Sequence, residues 1–211
     1  MKTDFVTRDV GGKTIATQMT VPSPSGTMDP TRSPLPQGMA DVLSACLTQE
    51  REGVHLYRVV AMRALHPQWR QRYLQFGHET RRHVDMYEKL IVRAGGDPMY
   101  VSPSARLVCF RGTKLLEAGL LSGSFDEATR QLADLESVMI AAQRCVDNWQ
   151  LVAETARHAA PGALRDSLLT ATTEALAAKE LNLAWAKDTF RNAQLSLAYG
   201  RSPFPTAAAA S

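Results

Sequence analysis

The sequence predicts an all-α protein, a four-helix bundle of two antiparallel helix pairs with a long middle crossover that contains a short helix. Three observations predict it. Apolar residues recur at alternating three- and four-residue spacings over four long stretches, the period of a helix with one buried face. Proline falls between those stretches and not inside them. The links within each pair of stretches are only a few residues long, which makes the pairs antiparallel, whereas the link between the pairs is long enough to cross a bundle.

The first helix is expected over Met39 to Leu65, with Leu43, Leu47, Val54, Tyr57, Ala61 and Ala64 on one row and a stop at His66-Pro67. Glu50 lies three residues after Leu47 and four before Val54, so it points where its apolar neighbours point. Glu52 and His55 have Glu-x-x-His spacing but stand off this row beside Arg51 and Arg58, which places them on the surface. The second helix is expected over Gln68 to Ala94, ended by Gly95-Gly96-Asp97-Pro98. Its row runs Trp69, Tyr73, Phe76, then Met86 or Tyr87, then Leu90; the positions that continue it through the gap are Glu79 or Thr80, and His83. Arg70, Arg72, Arg81 and Arg82 make its other face a solvated basic one.

In the crossover, Pro103 and Ser104 can open a short helix through Leu116, closed by Gly119 and Gly123. Ser124-Phe125-Asp126-Glu127 has the Ser-x-x-Glu spacing of a capping box, and the third helix runs from there to His158 before Pro161-Gly162. Its row holds Leu135, Ala142, Cys145 with Val146, Trp149, Val152 and Ala156. The fourth helix is expected over Ala163 to Leu197. Leu168, Ala171, Ala175, Ala178, Leu181 and Trp185 form one side and Leu169, Leu176, Leu183 and Phe190 an adjoining one; Glu174 borders the first and Glu180 the second. Residues 39–198 therefore make the bundle. Residues 1–38 form a Pro/Ser/Thr-rich arm, read either as disordered or as a short hairpin near Gly11-Gly12 that docks on a partner subunit. Residues 199–211 are expected to be a flexible tail.

The net charge of +3, from 24 basic and 21 acidic residues spread along the chain, is too balanced to imply a nucleic-acid partner. No run is apolar enough to span a membrane, so no membrane partner is expected either. Cys46, Cys109 and Cys145 are odd in number and far apart, which suits a reduced, cytoplasmic protein.

The chemistry lies in the interrupted rows. Burying a carboxylate or an imidazole without a partner costs several kcal/mol. At about 1.5 Å per residue, Glu50 and Glu79 arrive at similar depths on either side of the turn at Pro67, where two carboxylates repel unless protonated or bridged by a cation. A metal ion would satisfy them. Without one, Glu79 and His83 would have to pair with each other, with Tyr57, or with Arg side chains.

The topology is that of a ferritin-like bundle, a class that holds paired metals by core carboxylates and histidines. The stretches Thr48-Gln49-Glu50, His78-Glu79-Thr80-Arg81-Arg82-His83-Val84, Ala141-Ala142-Gln143 and Leu168 to Glu174 resemble the YciE/YciF group of bacterial ferritin-like proteins over roughly Met39 to Phe190. That resemblance implies a di-metal carboxylate bundle associated with stress responses, with Glu50, Glu79, His83 and Glu174 as metal ligands. Iron or manganese is the expected cofactor, as one or two ions, serving oxygen, peroxide or iron handling. The chain departs from the pattern on its third helix, which offers Cys145, Val146 and Trp149 where a bridging carboxylate is wanted, and on its fourth, which has no His. The alternative is a degenerate bundle without metal, acting as an oligomeric structural or interaction protein. The Ala-rich fourth helix suggests a homo-oligomer, with the arm or the tail as a further contact for a protein partner.

Overall fold

Gln37–Arg63 (α1) begins directly after Pro36 and ends where Ala64 turns extended ahead of Pro67. The computed structural model describes residues 35–121 and 126–202, with side chains left aside at 118–121. Helix α2 (Pro67–Arg93) starts on Pro67, whose missing N–H is no loss in a first turn. It stops at Gly95, where φ is 80°, a conformation that glycine adopts without a Cβ clash, and Gly96 N–H returns to the Ile91 carbonyl at 2.9 Å. The crossover helix is α3 (Pro103–Leu121), and the second pair is α4 (Glu127–His158) and α5 (Ala163–Ala198). Among the described residues there is no strand.

Two expectations about the crossover change. Gly119 does not close α3, which continues to Leu121. The capping box does not start α4 either: its N-cap is Asp126, whose carboxylate accepts from Thr129 N–H at 2.9 Å. Ser124 and Gly123 lie outside the described residues, as do the expected hairpin in the arm and the tail beyond residue 202.

The four long helices form a ring in the order α1, α2, α5, α4, and α3 lies outside it against α1 and α4. Adjacent members are antiparallel. Tyr57 meets Phe76 while Arg51 meets Glu88; Tyr73 meets Trp185 while Arg82 meets Glu174. Arg63 meets Asp134 while Glu50 meets Trp149. The register of α1 on α4 is set by polar groups that close the end of α1. Gln131, buried on α4, donates to the Arg63 carbonyl at 2.9 Å and accepts from Leu65 N–H, satisfying backbone groups that a helix end leaves open. Burial raises the pKa of Asp134, and its ion pair with Arg63 pulls the other way.

The interior has two large apolar clusters and a small third one of Ala142, Val146 and Leu183. One large cluster lies toward the α1–α2 turn and contains Leu56, Tyr57, Val60, Tyr73, Phe76, Leu135 and Ala186. The other lies toward the opposite end and contains Leu43, Leu47, Tyr87, Leu90, Trp149, Val152 and Leu168. Burying each large side chain is worth roughly 1.5–3 kcal/mol, so both ends contribute apolar stabilisation on either side of what separates them.

Helix α3 approaches α1 closely at Gly112, where an added Cβ would stand 2.6 Å from Glu52 Oε2 and 3.0 Å from Glu52 Cβ. The carboxylate can swing away, but the Cβ cannot. Gly112→Val should therefore cost about 1–3 kcal/mol of stability, measured as a lower urea midpoint. An unchanged midpoint would mean that α3 is free to move off α1.

Candidate functional site

Between the two large apolar clusters sits a polar layer to which all four ring helices contribute. From α1 comes Glu50, from α2 Thr80 and His83, from α4 Trp149, and from α5 Lys179; each is buried. Lys179 and Glu50 have 1% of their side-chain surface exposed and pair at 2.7 Å between Nζ and Oε2. The same ammonium donates to Thr80 Oγ1 at 3.0 Å. Trp149 Nε1–H donates to the other Glu50 oxygen, Oε1, at 2.9 Å. Glu50 therefore has a donor on each oxygen and a full counter-charge on one of them, which is what a buried carboxylate requires.

The charge state of the layer follows from its surroundings. Burial alone would drive Lys179 to lose its proton, but neighbouring Cys145 and Glu50, together with the Glu50 hydrogen bond, reverse this and raise its pKa above the ordinary value. Of those two, Glu50 supplies the negative charge, because burial pushes the Cys145 thiol up to about 12 and leaves it neutral. His83 is neutral as well: burial, with Lys179 and Arg82 adding to it, lowers its pKa to about 3. Its Nδ1 stands 4.0 Å from Glu50 Oε2 and has no hydrogen-bond partner. The ring lies edge-on to Trp149.

The four residues expected to hold metal are thus distributed unevenly. Glu50 and His83 are brought together in the layer. Glu79 is half-buried at its edge, accepting from Asn182 at 2.6 Å and from Gln75 at 2.9 Å. Glu174 is on the surface, with 58% of its side chain exposed, and accepts from Arg82. The pairing of Glu79 with His83, expected if no ion bridges them, does not occur, and Tyr57 packs against Phe76.

Residues missed by sequence reasoning complete the layer. Buried positions on α5 run Leu168, Thr172, Ala175, Lys179, Asn182 and Ala186, whereas Leu181, expected inside, is 67% exposed. Their alternating spacing of four and three is as regular as an apolar row. Lys179 was legible there as an inward position, but three polar residues on one row let the flanking leucines set the wrong phase.

An iron or manganese ion does not fit this donor set. The position between Glu50 and Thr80 holds an ammonium, and Trp149 is a donor only, so it cannot ligate. Among the described residues, no three His, Cys, Asp or Glu side chains converge to hold an ion. The layer has a cation already, and it is covalently part of the chain.

No protein-family model matches the sequence, and no curated protein matches it. The resemblance to the YciE/YciF group therefore stands on its motif residues alone. Among solved structures, the chain is similar to a dodecameric thioferritin, the bacterioferritin-related protein from Bacteroides fragilis. That likeness has a TM-score of 0.48 and 11% identity over 78% of this chain and 90% of that one. No described helix is long and apolar enough to cross a membrane.

Proposed function

We propose that this chain is a metal-independent helical bundle of ferritin-like topology that works through its surface, as an oligomeric structural or interaction protein. One observation carries the reading: the Lys179 ammonium, fully buried, neutralises Glu50 where a carboxylate-bridged ion would have to sit. An iron or manganese centre needs several oxygen or imidazole ligands around one point, and here one carboxylate and one neutral imidazole face a cation instead. With the interior sealed above and below by apolar clusters, partner recognition falls to the outside. The crossover leaves Met99, Val101, Leu107 and Phe110 more than half exposed, which is apolar surface available for self-association or a protein partner.

Elemental analysis of full-length protein purified without chelator, before and after incubation with ferrous iron or manganese, tests this. The expected result is metal far below one ion per chain in both samples. Stoichiometric iron or manganese that a chelator removes, with a matching fall in melting temperature, would overturn it. Sedimentation of the same sample is expected to give a multiple of the chain mass, and a monomer at all concentrations removes the oligomeric part.

A further inference from the structure

Resting on the metal-independent reading, we infer that Glu50 and Thr80, flanked by the ring of His83, form a receptor for one primary ammonium group, which the chain fills with its own Lys179. The geometry is that of ammonium recognition. Such a group has three N–H donors and no acceptor; two of its hydrogens are placed, on Glu50 Oε2 at 2.7 Å and Thr80 Oγ1 at 3.0 Å. The His83 ring lies beside them, with its buried Nδ1 4.0 Å from the same Glu50 oxygen and without a hydrogen-bond partner.

Charge selects the same ligand. One carboxylate beside a neutral imidazole and a hydroxyl presents a single negative charge, which one ammonium cancels. A divalent ion would leave a net positive charge in a dry layer, where uncompensated charge is costly. Trp149 adds a geometric bar, because its N–H holds Glu50 Oε1 and keeps that oxygen from turning onto an ion beside Oε2. The layer is therefore selective for a monovalent hydrogen-bond donor over a bare cation.

Lys179→Ala removes the ammonium with three carbons and keeps Cβ, so the missing piece has the shape of n-propylammonium. In the full chain, this variant should melt about 4 °C higher in n-propylammonium chloride than in the same concentration of tetramethylammonium chloride, at several times the dissociation constant. Tetramethylammonium carries the charge without the donors. Wild type, whose site is filled, and Lys179→Met, whose side chain occupies the space of the propyl chain, should show no such difference, and manganese chloride should not stabilise Lys179→Ala. Equal response to the two ammonium salts, an equal response in Lys179→Met, or stabilisation by manganese alone overturns the inference. If Lys179→Ala does not accumulate folded, its recovery of helical circular dichroism on refolding from urea replaces the melt. Recovery that depends on n-propylammonium supports the receptor, and none overturns it. A wild type that holds stoichiometric metal defeats the metal-independent reading; a metal-free wild type whose Lys179→Ala variant ignores n-propylammonium defeats only this one.

Discussion

Lys179→Met lowers the unfolding free energy by about 3–5 kcal/mol, seen as a fall in urea midpoint at unchanged m-value. Methionine matches lysine in helix propensity and fills most of the same space, so the loss reports the charge. Without the ammonium, Glu50 keeps only neutral donors, the Trp149 N–H and the Cys145 thiol, and its carboxylate is left without a counter-charge in a sealed layer. Adding Glu50→Gln should return much of the loss, because the amide oxygen can still accept from Trp149 and no charge remains to neutralise. A loss below about 1 kcal/mol for the single variant would mean that Glu50 is not held as a carboxylate by Lys179, and both readings above would lose their footing.

The expectation fails for a different ion pair, and the contrast is instructive. Arg82 and Glu174 pair at 3.3 Å across α2 and α5, the same two helices that bring Thr80 and Lys179 together, but both side chains are more than half exposed. Water screens such a pair, and its removal should be nearly silent. Burial, not the presence of opposite charges on facing helices, decides which of the two matters.

Burial also separates what the sequence disclosed from what it hid. The helices were legible because their ends carry backbone chemistry of their own: Pro67 at the start of α2, Gly95 after it, and the extended Ala64 closing α1 ahead of Pro67. Glu50 was legible as an inward carboxylate because its neighbours on α1, Leu47 and Val54, are apolar on both sides and fix the phase. On α5 the inward row is itself polar at Thr172, Lys179 and Asn182, so apolar periodicity pointed to Leu181 instead, and Glu174 was implied only by the family resemblance. Recognising Lys179 needed the opposite inference. A buried carboxylate on one helix demands a counter-charge on another, and a lysine in four-three register with alanines was the available supplier.

The same logic fixes the acid response of His83. Its folded pKa, lowered to about 3 by burial with Lys179 and Arg82 adding, lies below the roughly 6.5 of an unfolded histidine. The unfolded chain therefore binds the proton first as pH falls, so the contribution is fully present above about pH 6.5 and is lost progressively toward pH 3. The groups facing the imidazole are Glu50 from α1, Trp149 from α4 and Lys179 from α5. Glu50 is held more closely by Lys179, at 2.7 Å, than it approaches the imidazole, at 4.0 Å, and the Lys179 ammonium beside it repels a second positive charge. Between pH 6.5 and 4.5 the wild type should lose about 2 kcal/mol more than His83→Leu, with urea unfolding followed at closely spaced pH values. Asp134 and the surface carboxylates titrate alike in both proteins and cancel in the difference. At pH 8 the variant should match or exceed the wild type, since it removes an unsatisfied buried nitrogen and adds apolar contact with Trp149. Parallel stability curves from pH 8 to 4.5 would mean that the imidazole finds an acceptor for its proton inside the folded bundle, and the neutral, unpartnered His83 of the layer would be wrong.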